Sequence, residues 1–168
     1  QTFEQHVGAW FDLDNVAAYY MFLLVSGASD NAIKNYYLAR PTAQSRFYFV
    51  PWDADASFGR DWQGELLPHY DPAQHGHRLF TRLLQSDDSL FRERLQELWQ
   101  RHGETTFAPQ ALLARFDQLG GSLLEGGAIE RETQRWQYEA NRYDADRQYL
   151  ETWIVTRHDW VNTIVERL

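Results

Sequence analysis

The sequence contains no cysteine, so it can build neither a disulfide framework nor a thiolate metal site. It has no apolar run near the roughly 20 residues that a membrane span requires. Its longest, Val16 to Val25, is interrupted by Tyr19 and Tyr20 and predicts a buried helix instead. Basic residues are outnumbered, with 16 Lys and Arg against 24 Asp and Glu, for a net charge of −8. With no basic stripe, the chain is a poor partner for nucleic acid and has no pull toward anionic lipid. Nor does it open with a Met, a basic n-region or an apolar h-region. It is expected to be a piece of a longer protein, and its composition leaves the compartment open.

What is present is a core. Across 168 residues, 43% are hydrophobic and 15% aromatic, with seven Trp. That excludes a disordered segment and predicts one compact domain over residues 1–168. Asp12-Leu13-Asp14-Asn15 supplies cap side chains ahead of the Val16 to Val25 helix, which should end before Gly27. Asn35 to Ala39 and Phe47 to Val50 are rich in Tyr, Phe and Val, with turn composition between them. They predict a β-hairpin whose second strand Pro51 stops. Asp53 to Gly76 shows no periodicity and reads as a long loop, a feature often functional in compact domains.

From Arg78 onward the spacing is helical. Asp87-Asp88-Ser89 is placed to cap a helix carrying Leu90, Phe91, Leu95, Leu98 and Trp99. Pro109 suits a first helical turn. It precedes Leu112, Leu113, Phe116, Leu119 and Leu123, with Gly120-Gly121 and Gly126-Gly127 as points where that helix would break or kink. Leu150, Trp153, Ile154, Val161, Ile164 and Leu168 form the stripe of a last helix. The expected fold class is α+β, mainly α with one small hairpin.

Two segments carry chemistry. Ser29 to Asn35 contains D-x-x-x-x-N, with Asp30 and Asn35 at its ends. Protein kinases use this spacing in the catalytic loop, where the Asp takes or orients the hydroxyl proton and the Asn holds a metal ion. The motif alone is weak. Pro51-Trp52-Asp53-Ala54-Asp55-Ala56-Ser57-Phe58-Gly59 then follows the second strand directly. Carboxylates at i and i+2 offer oxygen ligands to a hard cation, which an acidic chain also favours. A catalytic loop, a hairpin and then a metal-binding Asp is the order of the kinase C-lobe.

D-x-x-x-x-N, N-Y-Y-L and F-V-P-W-D-A-D-A-S-F-G together resemble the signature of the CotH kinase family, atypical protein kinases named for a bacterial spore-coat protein. The resemblance covers most of the chain, with its specific part between Asp30 and Gly59. It implies an atypical protein-kinase-like C-lobe that transfers phosphoryl groups from ATP to protein Ser or Thr, with Mg or Mn. On this resemblance Asp30 is the catalytic aspartate, Asn35 and Asp53 hold the metal and its nucleotide, and Asp55 supports the metal. Lys34 is left a phosphate contact. The implied partners are a protein substrate, a nucleotide and an N-terminal lobe, and the implied setting is exported or cell-surface. Only eleven residues precede Asp12 and no Gly-rich phosphate loop lies among them. The expectation is therefore a C-lobe that binds ATP poorly without its missing lobe.

Plainer readings stand beside these. Asp30 and Asn35 are common turn and cap residues, and Asp53 with Asp55 would also suit a structural Ca²⁺ ion. His69, Asp71, His75 and His77 have zinc-type donors, but no regular element frames them and they read as a polar loop. Arg131, Arg135, Arg142 and Arg147, alternating with Glu130, Glu132, Glu139, Asp144 and Asp146, read as a solvated helix face with i,i+4 pairs. Two further functions remain open. One is a catalytically inactive CotH-like adhesion module. The other is a metal-dependent hydrolase using Asp53 and Asp55, although that fold expects a parallel α/β sheet.

Overall fold

The computed structural model describes residues 2–75, 77–136 and 142–168; Gly76 and Glu139 lie outside them. The chain begins with α1 (Phe3–Gly8) and α2 (Leu13–Ser26). A 3₁₀ turn, Asp30–Ala32, leads into the hairpin of β1 (Tyr36–Ala39) and β2 (Tyr48–Pro51). Then come α3 (Pro72–His75), α4 (Arg78–Leu84), α5 (Leu90–His102), α6 (Pro109–Glu125), α7 (Ala128–Trp136) and α8 (Arg142–Glu166). The fold is mainly α with one small antiparallel sheet, as the periodicities predict.

Helix α2 is the axle. Asp12 caps it, accepting the N–H groups of Asp14 and Asn15 at 3.1 Å each. Gly27 ends it at φ +63°, in the left-handed region where glycine is favoured. A helix that is apolar on every side belongs inside, and Val16, Ala17, Tyr20, Met21, Leu23 and Leu24 are at most 1% exposed. Each large side chain buried this way contributes roughly 1.5–3 kcal/mol.

Asn15, expected among the capping residues, serves β2 instead. Its Nδ2 donates to the Phe49 carbonyl at 3.2 Å, and its Oδ1 accepts the Phe49 N–H at 2.7 Å. The side chain thus acts as a neighbouring strand. This fits the hairpin register, which pairs Tyr36 with Pro51, Tyr37 with Val50, Leu38 with Phe49 and Ala39 with Tyr48. The Trp52 N–H donates to the Asn35 carbonyl at 2.9 Å. In an antiparallel ladder that leaves Pro51 where no N–H is needed and turns the Phe49 backbone toward α2. Pro51 is therefore the last residue of the strand rather than a stop before it.

Other boundaries also shift. The expected loop from Asp53 contains the Arg60–Leu66 bridge and α3. Gly120 and Gly121 pass through α6 without breaking it; Gly126 and Gly127, the latter at φ +64°, end it. Arg147 is paired with Asp117 on α6 as well as with Glu151 one turn along α8, so the charged face also joins helices.

Candidate active site

The residues singled out in the sequence lie on two segments that the fold clamps together. The first is the turn from Ser29 to Asn35. Its Asp30 carbonyl accepts the N–H groups of Ile33 and Lys34, at 3.2 and 2.8 Å. The Asp30 carboxylate is mostly covered, with 18% of its side chain exposed, and its Oδ2 lies 2.8 Å from Lys34 Nζ. That ion pair holds the Lys34 ammonium above its ordinary pKa, first through the Asp30 hydrogen bond and charge, then through the charges of Asp55 and Asp53. Lys34 thus senses all three carboxylates.

The second segment runs from Trp52 to Gly59. Asp53 sits at φ +52° and Asn35 at φ +54°, a backbone region rarely used outside glycine. Asn35 Nδ2 donates to the Asp53 carbonyl at 3.2 Å. With its amide nitrogen so committed, Asn35 Oδ1 is the atom left for a ligand. Asp53 is exposed, and among the described residues its carboxylate accepts no hydrogen bond. Asp55 is also exposed; its Oδ1 accepts the Ala56 N–H at 2.9 Å, and among the described residues Oδ2 accepts no hydrogen bond. The donors are therefore all hard oxygen atoms. No three His, Asp or Glu side chains form a metal-holding group among the described residues. Oxygen donors of this kind suit a hard divalent cation, in sites where one or two carboxylates share the ion with other oxygen ligands.

Three residues that sequence reasoning passed over hold this arrangement. Buried Asn31 bonds through Nδ2 to the carbonyls of Asn35 and Trp52, at 2.7 and 2.8 Å. Tyr70 donates its hydroxyl to the Ser29 carbonyl at 3.2 Å; burial pushes its pKa up to about 12, which keeps the proton in place. Arg157 of α8 is 6% exposed and donates to the carbonyls of Leu23 and Leu24 at the end of α2, and to that of Tyr70. Burial lowers its pKa to about 10, so it remains cationic at neutral pH, where it complements the negative end of the helix. A polar residue inside an otherwise apolar stripe was the available signal for Arg157; nothing local marked Tyr70.

Gly59 closes the second segment at φ +83°, under Trp153 and Tyr149. An added Cβ would lie 2.5 Å from Trp153 Cδ1, and the Tyr149 hydroxyl bonds the Gly59 carbonyl at 2.8 Å. The final glycine of the motif is thus a close-approach position. The histidines of the neighbouring loop do structural work. His77 Nδ1 accepts the Leu79 N–H at the start of α4, and His75 stacks on Tyr70.

The sequence model of the CotH kinase protein family matches residues 1–161. The chain belongs to the CotH kinase family. It is also 29% identical, over 106 residues, to the inner spore coat protein H of Bacillus subtilis (strain 168). That stretch is 62% of this chain and 29% of the relative, so the chain spans under a third of that protein's length. Membership makes this a kinase-related domain, and its CotH signature residues lie on the two clamped segments.

Proposed function

We propose that this CotH-family chain is the C-lobe of a protein kinase that moves the γ-phosphoryl group of ATP to a Ser or Thr hydroxyl of a protein. The observation that carries the reading is the cross-bonding of the Asp30–Asn35 turn to the Trp52–Asp53 segment. It supports the reading by tying the backbone of the segment that carries Asp30 and Asn35 to the backbone of the segment that carries Asp53. In this reading Asp30 orients the acceptor hydroxyl and takes its proton. The acceptor oxygen bonds to phosphorus as the bond to the ADP oxygen breaks. Asn35 and Asp53 hold Mg²⁺ or Mn²⁺ with the nucleotide, and Asp55 assists. The ion, when bound, neutralises charge on the phosphate oxygens. Lys34, exposed and on a flexible stem, exchanges its bond to Asp30 for a phosphate oxygen.

In this reading a loop over the phosphates and a basic residue paired with them complete the ATP site. An exported or spore-surface setting follows the name of the relative. The test is phosphotransfer from ATP to a Ser/Thr protein with Mn²⁺, in the full-length protein that carries this chain. Asp30→Ala should lower kcat by roughly 10²–10⁴-fold, the usual contribution of a general base. Asp53→Ala should abolish the metal dependence together with the activity. Undiminished transfer in Asp53→Ala would remove the mechanism.

A further inference from the structure

Asn31 is the point where the two halves of the site meet. Its side chain is fully buried. One nitrogen, Nδ2, gives its two hydrogens to the carbonyl of Asn35 and to the carbonyl of Trp52, the residue before Asp53. The same Asn35 carbonyl also receives the Trp52 N–H. Asn35 and Asp53 each sit in the left-handed region, which Asn and Asp enter more readily than other residues with a Cβ but less readily than the ordinary backbone regions. The bonds from Asn31 and the Trp52 N–H act on the backbone at and beside these two positions.

The energetics indicate that geometry is what this residue supplies. Two neutral hydrogen bonds each add a little net stability, while a buried acceptor without a partner takes a comparable amount away. Asn31 Oδ1 is such an acceptor. The gain and the loss nearly cancel, so the amide adds little stability, yet it ties the Asn35 backbone to the residue before Asp53.

We infer that Asn31 is a positioning residue that sets the separation of Asn35 and Asp53, and through it the affinity of that pair for a divalent cation. The inference rests on the cation reading above. It adds a residue that touches neither metal nor substrate.

The experiment uses the intact chain and Mn²⁺ alone. Free Mn²⁺ is followed by electron paramagnetic resonance, and exchange of the Trp52 amide hydrogen by NMR. Asn31→Ala should weaken Mn²⁺ binding roughly 10- to 100-fold, the range seen when outer-shell partners of metal ligands are removed. It should also speed exchange at Trp52. Val161→Ala, a buried deletion on α8, should destabilise the fold without moving the Mn²⁺ midpoint. Asn31→Asp is the second variant should Asn31→Ala not fold. Its carboxyl can supply one of the two bonds only when protonated, so its deficit relative to wild type should shrink as pH falls. Wild-type Mn²⁺ affinity in Asn31→Ala, with affinity lost in Asp53→Ala, would overturn the positioning role and leave the cation reading standing. A wild type that holds Mn²⁺ no better than Asp53→Ala would overturn both.

Discussion

Helices α2 and α6 both carry repeated leucines, yet they meet opposite fates. In α2, Leu23 and Leu24 are inaccessible to solvent. In α6, Leu119 and Leu123 are 50% and 52% exposed, and the helix buries only Gly120. The residue types do not explain the contrast. Helix α2 is enclosed by β2, α5, α8 and the aromatic ring of Phe80 from α4. Helix α6 packs chiefly on α7 and α8, and the Phe116 ring meets Phe58 at 4.9 Å. Apolar periodicity says which face of a helix wants a partner; tertiary structure decides whether one is there. The proposed chemistry follows the same division, because the Asp30 turn grows directly out of the enclosed helix.

The largest effect that would sharpen this contrast is expected at Phe80. It is 1% exposed and its ring meets Tyr19, Tyr20 and Phe49 within 6.2 Å. Phe80→Ala should cost about 3–5 kcal/mol, the usual range for deleting a buried aromatic ring. Urea unfolding read by tryptophan fluorescence checks it. A loss below about 1.5 kcal/mol would mean that the aromatic cluster around α2 is loosely packed and that the enclosure is not what distinguishes the helix.

Much of the fold was legible because local rules agreed with tertiary need. Asp12, Gly27 and Pro109 punctuate helices where their chemistry says they should. The hairpin was visible in its aromatic and β-branched residues, and the signature residues were visible in their spacing. What escaped was whatever depends on distant partners. Asn15 looks like a cap until Phe49 is beside it. Asn31 looks like one more polar residue in a turn until the Trp52 carbonyl arrives 21 positions later. The start of α5 escaped for the same reason. Asp88 accepts the Leu90 N–H as the local pattern suggests, but the Phe91 N–H is taken by Glu4, which is 87 positions away.

Glu4 supplies the next prediction, at the enclosed end of the comparison. Burial first, then the charge of Asp88, raises its pKa above the ordinary 4.5, against the Phe91 N–H, Arg92 and Arg94. The folded protein therefore binds this proton more tightly than the unfolded chain. The associated stability is complete below pH 4.5 and is lost as pH rises through the folded value. Glu4→Gln keeps the shape and an oxygen for Phe91, but cannot titrate. Its stability relative to wild type should climb from acid toward neutral pH and then level off, by less than the Phe80 loss. Melting temperatures at matched ionic strength between pH 4 and pH 7.5 read this directly. A difference that does not vary with pH would show that the carboxyl titrates normally.

The smallest effect belongs to α6, and it puts most pressure on the comparison. Leu123→Ala removes a side chain that is 52% exposed near the C-terminal end of α6. Alanine is also the better helix former. The lost burial and the gained propensity oppose one another, so the change should stay within about 0.5 kcal/mol, as for surface substitutions generally. The decisive measurement is denaturant unfolding of both proteins at low and high protein concentration. A cost above about 1.5 kcal/mol at every concentration would place Leu123 in a covered position. A cost that appears only at high concentration would mean that another copy covers the α6 face in solution. Either outcome would show that α6, like α2, has its partner, and would reduce the contrast between the two helices to a difference in which molecule supplies it.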